Sequence, residues 1–105
     1  MVTLQDAYDY LGYDEVDDVI ERKVKKDLRT GEAMMRGAVG EDVEEYLPDD
    51  PRIDELVLYF TGEVHDNRGG SQKQASARSH HAHDIELQLK TELRRAKATA
   101  GGDGA

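Results

Sequence analysis

A short run of histidines comes closest, in type and spacing, to a metal site. His80, His81 and His83 stand directly before Asp84, and imidazoles two residues apart beside a carboxylate are able to ligate Zn²⁺ or Ni²⁺. No HExxH spacing accompanies them. They also fall in the polar stretch 67–83, which holds no apolar residue larger than alanine. The run therefore favours exposed side chains of a loop, and no metal ion or other cofactor is expected.

Groups for acid–base or nucleophilic catalysis are abundant but unspecific. Neighbouring carboxylates fit helix caps and solvated surfaces better than general acid–base work. Such pairs occur at 17–18, 44–45 and 49–50. No serine has a G-x-S-x-G context, and the Gly69-Gly70 doublet lacks the lysine of a phosphate-binding loop. The chain is not expected to be an enzyme.

Charge is distributed unevenly along the chain. The net charge is −9, with 19 acids and 7 bases in residues 1–66 and 4 acids and 7 bases in residues 67–105. A strongly acidic body repels phosphate and argues against wrapping nucleic acid. A basic end on such a body indicates docking on an acidic protein surface. The bases Arg94, Arg95 and Lys97 also fit the negative end of a helix dipole.

Composition limits the class of protein. The 105 residues suffice for one small domain, and 37% apolar residues with no tryptophan make a thin core. Stability supplied in part by partners is therefore expected. The absence of cysteine excludes disulfides and thiolate metal sites. The N-terminal MVTLQDAYDYL has acids and no long apolar run, which predicts a soluble protein with neither signal peptide nor membrane anchor.

Apolar residues with helical spacing predict two helices in the first forty residues. The first spans 4–11 and is capped by Thr3. The second spans 14–39, is capped by Asp14 and continues through Gly31. A glycine on the apolar face costs up to ~1 kcal/mol against alanine, which is tolerated where another backbone packs close to it.

The remaining chain predicts further helix and no convincing strand. Residues 41–47 form one or two turns, and Pro51 begins an apolar helix over 51–65 that requires neighbours on several sides. Residues 67–83 are predicted as a loop ordered only on contact, followed by a final helix over 84–97 and a flexible tail. The fold class is all-α, a small bundle of about four helices with a long central hairpin and an extended C-terminal segment. The predicted core is Val16, Ile20, Val24, Leu28, Ile53, Leu56, Val57, Phe60 and Val64.

The stretches TLQDAYDYLGYDEVDDVIERKVKKDLRTGEAMMRGAVG at 3–40 and PRIDELVLYFTGEVHDNRG at 51–69 have a recognisable order. A short helix is followed by an acidic turn, a long helix that ends at glycine, and a proline-started apolar helix that closes in an acidic Asn-Arg motif. This order resembles the head-tail connector family of long-tailed bacteriophages, also called adaptor or head-completion proteins. The matching positions are Thr3-Leu4, Asp14-Glu15, Gly40, Pro51 and His65-Asp66-Asn67-Arg68, with a looser match of Ile85 to Arg95 to the family's last helix.

The resemblance implies a structural role in the virion neck, after assembly in the host cytoplasm. Family members form a homo-oligomeric ring of about twelve copies below the portal and join it to stopper or tail proteins. Genomic double-stranded DNA passes through without specific binding, and no membrane is involved. Residues 1–67 are then the adaptor core, 68–83 a polar loop, and 84–105 the segment that docks on the portal. The implied portal-binding residues are Ile85, Leu89, Leu93, Arg94, Arg95 and Lys97.

Two further expectations follow from the charge. If acids of the body line the channel, DNA meets like charge and slides without sticking. The alternative function is a small acidic regulatory protein that binds a host or phage protein, for which the chain would be monomeric or dimeric and the basic end would be unnecessary. Size in solution and binding to portal protein separate the two functions.

Overall fold

Five α-helices make up the regular structure of residues 1–67 and 75–102, which are the residues that the computed structural model describes. They are α1 (Leu4–Leu11), α2 (Asp18–Val39), α3 (Val43–Tyr46), α4 (Pro51–Asn67) and α5 (Ala75–Gly102). No strand occurs within these ranges, so the predicted all-α class is confirmed. None of the helices in the described ranges is long and apolar enough to cross a membrane.

The first helix is capped as its sequence predicts. The Thr3 hydroxyl accepts a hydrogen bond from the Asp6 amide at 3.1 Å, and the Asp6 carboxylate accepts one from the Thr3 amide at 3.0 Å. This reciprocal pair is a capping box, in which two otherwise unpaired amides of the first turn are satisfied. The hydrogen bond from Thr3 lowers the pKa of the Asp6 carboxyl.

The second helix begins later than predicted. Its cap is Asp17, whose carboxylate accepts from the Ile20 amide at 2.8 Å, and not Asp14. Val16 therefore precedes the cap and lies outside the helical stripe. Its exposure of 39% removes it from the predicted core, and Val19 is also exposed, at 50%. The apolar stripe of α2 starts at Ile20, which is half-buried.

Helix α2 continues through Gly31, because this glycine is where α4 comes closest. A Cβ atom at position 31 would lie 2.2 Å from Thr61 Oγ1, 2.8 Å from Thr61 N and 3.0 Å from Thr61 Cα. Asp27, one turn earlier in α2, contacts His65, one turn later in α4. The two helices are therefore antiparallel and form the central hairpin. Helix α2 ends at Gly40, whose φ of 154° suits glycine.

Helix α4 is enclosed on several sides, as its apolar sequence predicts. It packs mainly on α2 and also contacts α1 and α5. Ile53, Leu56 and Val57 are buried, while Phe60 and Val64 are half-buried. The buried apolar residues of the described chain are Ala7, Tyr8, Val24, Leu28, Met35, Val39, Val43, Ile53, Leu56, Val57, Ala82, Ile85, Leu89 and Leu93.

The last helix is longer than predicted. It begins at Ala75 and reaches Gly102, whereas the sequence predicted a loop over 67–83 and a helix over 84–97 only. The sequence prediction fails here because residues 75–83 contain no large apolar side chain, a composition that is typical of a loop. Ala82 is 7% exposed and covers the core without a large side chain. The predicted loop positions 68–74 and tail positions 103–105 lie outside the described residues.

Candidate functional site

The apolar residues predicted to bind the portal are part of the chain's own core. Ile85, Leu89 and Leu93 are 5%, 0% and 4% exposed and pack in the same cluster as the residues of α2 and α4. A side chain buried in its own subunit has no apolar area left to offer a partner. In the folded chain these three side chains hold α5 on the hairpin, and their contact with a partner stays a prediction.

The basic residues of the same segment remain on the surface. Arg94 and Arg95 are exposed, and beyond Leu93 no residue of α5 is buried as far as Ala100. Lys97 is exposed as well, but its Nζ lies 2.7 Å from Asp42 Oδ2 and 6.0 Å from the centre of the Tyr46 ring. The hydrogen bond between Lys97 and Asp42 raises the pKa of the lysine and lowers that of the aspartate. Lys97 therefore positions this end of α5 on the segment that contains α3.

A shallow groove of about 350 Å³ runs beside these bases. Its lining residues are Val39, Lys90, Leu93, Arg94 and Lys97. We call the four bases Lys90, Arg94, Arg95 and Lys97 the basic end of α5. Lys90 is paired with Glu86 at 3.5 Å within the helix. Arg94 and Arg95 form no ion pair with any of the described residues, so they are the residues of the basic end that are most available to an acidic surface.

Helix α5 is also joined to the start of α4 through Arg52. The Arg52 guanidinium donates to Asp50 Oδ2 at 2.6 Å, to Gln88 Oε1 at 3.4 Å and to the carboxylate of Glu92. Hydrogen bonds, first to Asp50 and then to Glu92, raise the pKa of Arg52. The hydrogen bonds from Arg52 lower the pKa of Asp50. One arginine thus connects the cap of α4 to the middle of α5.

The ion pair between Arg52 and Asp50 predicts a pH dependence of stability. The folded-state pKa of Asp50 lies below the unfolded value of about 3.9. The stabilisation is therefore fully present above that unfolded value and is lost as the pH falls through the folded pKa. In urea unfolding followed by circular dichroism, we expect the Arg52→Gln variant to lose less stability than the wild type between about pH 4 and pH 2. Parallel losses in the two proteins would show that Arg52 does not control the Asp50 carboxyl.

A second network of polar contacts between helices was not predicted from the sequence. His65 Nδ1 lies 2.8 Å from Oδ2 of the fully buried Asp27, and His65 Nε2 lies 2.8 Å from the Tyr13 hydroxyl. The Tyr13 and His65 rings meet edge to face at 5.6 Å. In the tautomer whose Nδ1 donates to Asp27, Nε2 accepts a hydrogen bond from the Tyr13 hydroxyl. The signal in the sequence was Asp27, an acid placed between the apolar residues Val24, Leu28 and Gly31 of one helix face.

The Asp27–His65–Tyr13 hydrogen-bond network connects three segments that are distant in sequence. A carboxylate, an imidazole and a hydroxyl in series are able to hold or pass a proton. Their position gives them a structural use, because they tie the turn after α1 and the end of α4 to α2. The cost of burying the Asp27 carboxylate is offset by this hydrogen bonding.

Four of the positions that resemble the connector family have a clear structural role in the fold. Thr3 caps α1, Gly40 ends α2, Pro51 begins α4, and His65 binds Asp27 and Tyr13. Arg68 lies outside the described residues. Each of these positions is therefore explained by the needs of the fold. Comparison of the chain with models of protein families, with curated proteins and with solved structures finds no match.

Proposed function

We propose that this protein is a structural adaptor of a tailed bacteriophage, forming a ring below the portal that extends the DNA channel and joins the head to stopper or tail proteins. The sequence order of residues 3–69 supports this function through its resemblance to head-tail connectors. The observation that carries the proposal is the basic end of α5, whose Arg94, Arg95 and Lys97 lie beyond Leu93, the last buried position among the described residues, on a chain whose net charge is −9.

The distribution of charge on the chain supports this function. An exposed helix end with Arg94 and Arg95 fits an acidic surface of another protein. The acidic body supplies little attraction for phosphate, which suits a channel through which DNA passes without being held. Because Ile85, Leu89 and Leu93 are occupied within the subunit, docking on the portal uses the charged surface of α5 and not its apolar stripe.

The Arg94→Gln/Arg95→Gln variant tests this proposal. We expect it to lose co-purification with the portal ring of the phage that encodes the chain, with at least a ten-fold weaker apparent affinity in sedimentation assays. Lys25→Glu is the control, because it also makes the net charge more negative by two, at a residue 58% exposed and paired with Glu21. Circular dichroism checks that both variants are folded.

The outcomes separate the adaptor from the alternative. A wild-type chain that never binds the portal ring, even in excess, contradicts the adaptor function and favours the small acidic regulator. Equal loss of binding in Lys25→Glu would show that total charge, and not the basic end of α5, governs docking.

A further inference from the structure

The side of α2 that points away from the core is mainly basic, although the chain as a whole is acidic, and the exposed acid of this helix is Asp18, one turn before Arg22. Arg22, Lys26, Arg29 and Ala33 follow one another at i, i+4, i+7 and i+11, and all four are exposed. The remaining exposed members of this surface are Val19, Lys23, Met34 and Gly37. We call these eight residues the outer face of α2. Lys23, Lys26 and Arg29 pair with no carboxylate of the described residues.

The outer face of α4 has the opposite charge. Glu55, Tyr59, Glu63 and Asp66 follow at i, i+4, i+8 and i+11, with Glu55 and Asp66 exposed and the other two half-buried. These four residues define that face, which contains no base. The nearby Arg52 is already held by Asp50 and Glu92. Glu55 contacts His81 of α5 at 2.6 Å, where both side chains remain more than half exposed.

The two faces lie on opposite sides of the hairpin. Helix α2 meets α4 through Asp27 and Gly31, and α4 meets α2 through Thr61 and His65. The outer faces are the surfaces that these contacts leave on the far side of each helix. Their charges consequently cannot neutralise each other within one chain. A second copy is able to bring them together.

The two faces also match in length and shape. Each row spans twelve residues, whose eleven rises of about 1.5 Å give about 16 Å of helix. Beside the outer face of α4 lies a groove of about 210 Å³ whose lining includes the partly exposed side chains of Tyr10 and Tyr59. The outer face of α2 offers two exposed apolar side chains, Val19 at 50% and Met34 at 40% exposure. Apolar contact is thus available in addition to the charge pairs.

We propose that copies of this chain associate head to tail, with the outer face of α2 in one copy packed on the outer face of α4 in the next. A contact between two different faces repeats and closes into a ring when the rotation between copies permits. This assignment deepens the proposed function and rests on it for the location of the ring, whereas the contact itself follows from the two faces.

A second copy fits the outer face of α2 better than nucleic acid does. The face has four cations, and Glu21 and Glu32 flank it on the same helix. A chain with a net charge of −9 is repelled by a polyphosphate overall. The acidic face of α4, in contrast, has a complementary row on every copy. Nucleic acid is therefore kept as an outcome of the test.

Two charge-reversal variants test the contact, and mixing them gives the decisive result. Lys26→Glu/Arg29→Glu removes the net positive charge of the outer face of α2, and Glu55→Lys/Glu63→Lys makes the outer face of α4 basic, so neither variant has two complementary faces to pair with itself. We expect each variant alone to sediment as a monomer at concentrations at least ten-fold above those at which the wild type associates in low salt. An equimolar mixture restores association, because each variant complements the other. Lys25→Glu, which lies outside both faces, is the control and associates like the wild type.

Several results would overturn the contact. These are a wild type that stays monomeric at about 100 µM in low salt, variants that associate as well as the wild type, and a mixture that stays monomeric.

If duplex DNA of 30 base pairs binds the wild type and Lys26→Glu/Arg29→Glu abolishes that binding without changing association, the face binds nucleic acid. A charge-dependent oligomer that ignores the portal ring would retain this contact and reject the adaptor function. A wild type that binds the portal ring but shows no charge-dependent association would reject this contact and retain the adaptor function.

Discussion

Alanine at position 31 is expected to lower the free energy of unfolding by about 3 kcal/mol, one of the two largest effects expected of a single substitution in this chain. The added Cβ would meet the Thr61 backbone nitrogen at 2.8 Å and Cα at 3.0 Å, in addition to the Thr61 hydroxyl. A flexible side chain can move aside, but the backbone of α4 cannot do so without separating the two central helices. Urea unfolding followed by circular dichroism measures the loss.

Gly37→Ala is the matched control for this prediction. Gly37 lies in the same helix and is exposed, and a Cβ atom added there would meet no neighbouring atom within 4 Å. Alanine there is expected to raise the free energy of unfolding by about 0.5 to 1 kcal/mol, because it removes chain entropy from the unfolded state. A Gly31→Ala protein as stable as Gly37→Ala would show that α2 and α4 do not approach each other closely at Thr61.

Leu89→Ala is expected to cost about 3 kcal/mol of unfolding free energy. Leu89 is 0% exposed and lies in the middle of α5, between the core residues Ile85 and Leu93. Removal of its side chain leaves a cavity between α5 and the hairpin, so that both transfer free energy and packing are lost. Thermal or urea unfolding of the full chain provides the measurement.

Leu87→Ala supplies the comparison within the same helix. Leu87 is 48% exposed, so that its truncation is expected to change the free energy of unfolding by less than about 0.5 kcal/mol. If Leu89→Ala were equally neutral, α5 would not be part of the folded core. The buried positions of Ile85, Leu89 and Leu93 would then be free to bind a partner, as the sequence alone predicted.

Much of the fold follows from local patterns in the sequence. The capping box of Thr3 and the proline at position 51 fix where α1 and α4 begin, since each acts through neighbours within three residues. The helical spacing of Val24, Leu28 and the following apolar residues identifies the buried side of α2. Gly31 could also be interpreted in advance, because a glycine on an apolar face indicates close backbone contact.

The errors concern features that depend on the partner helix. Residues 75–83 lack large apolar side chains, and only the packing of Ala82 against the core shows that the helix includes them. Val16 has the right spacing for the core, yet the Asp17 cap excludes it from the helix. The role of the predicted docking residues Ile85, Leu89 and Leu93 also depends on what packs against their helix. An amphipathic helix looks alike whether it covers its own subunit or another protein, so that Leu89 alone could not distinguish the two.

The contact between Gly31 and Thr61 also limits how the subunit can change shape. A shift of one helical turn would place Asp27 or Met35 opposite Thr61, where only a residue without a side chain fits. The register of α2 on α4 is thereby restricted to a single one, and the hairpin is expected to be rigid. We therefore expect α2 and α4 to move as one unit in any change of shape of the described residues.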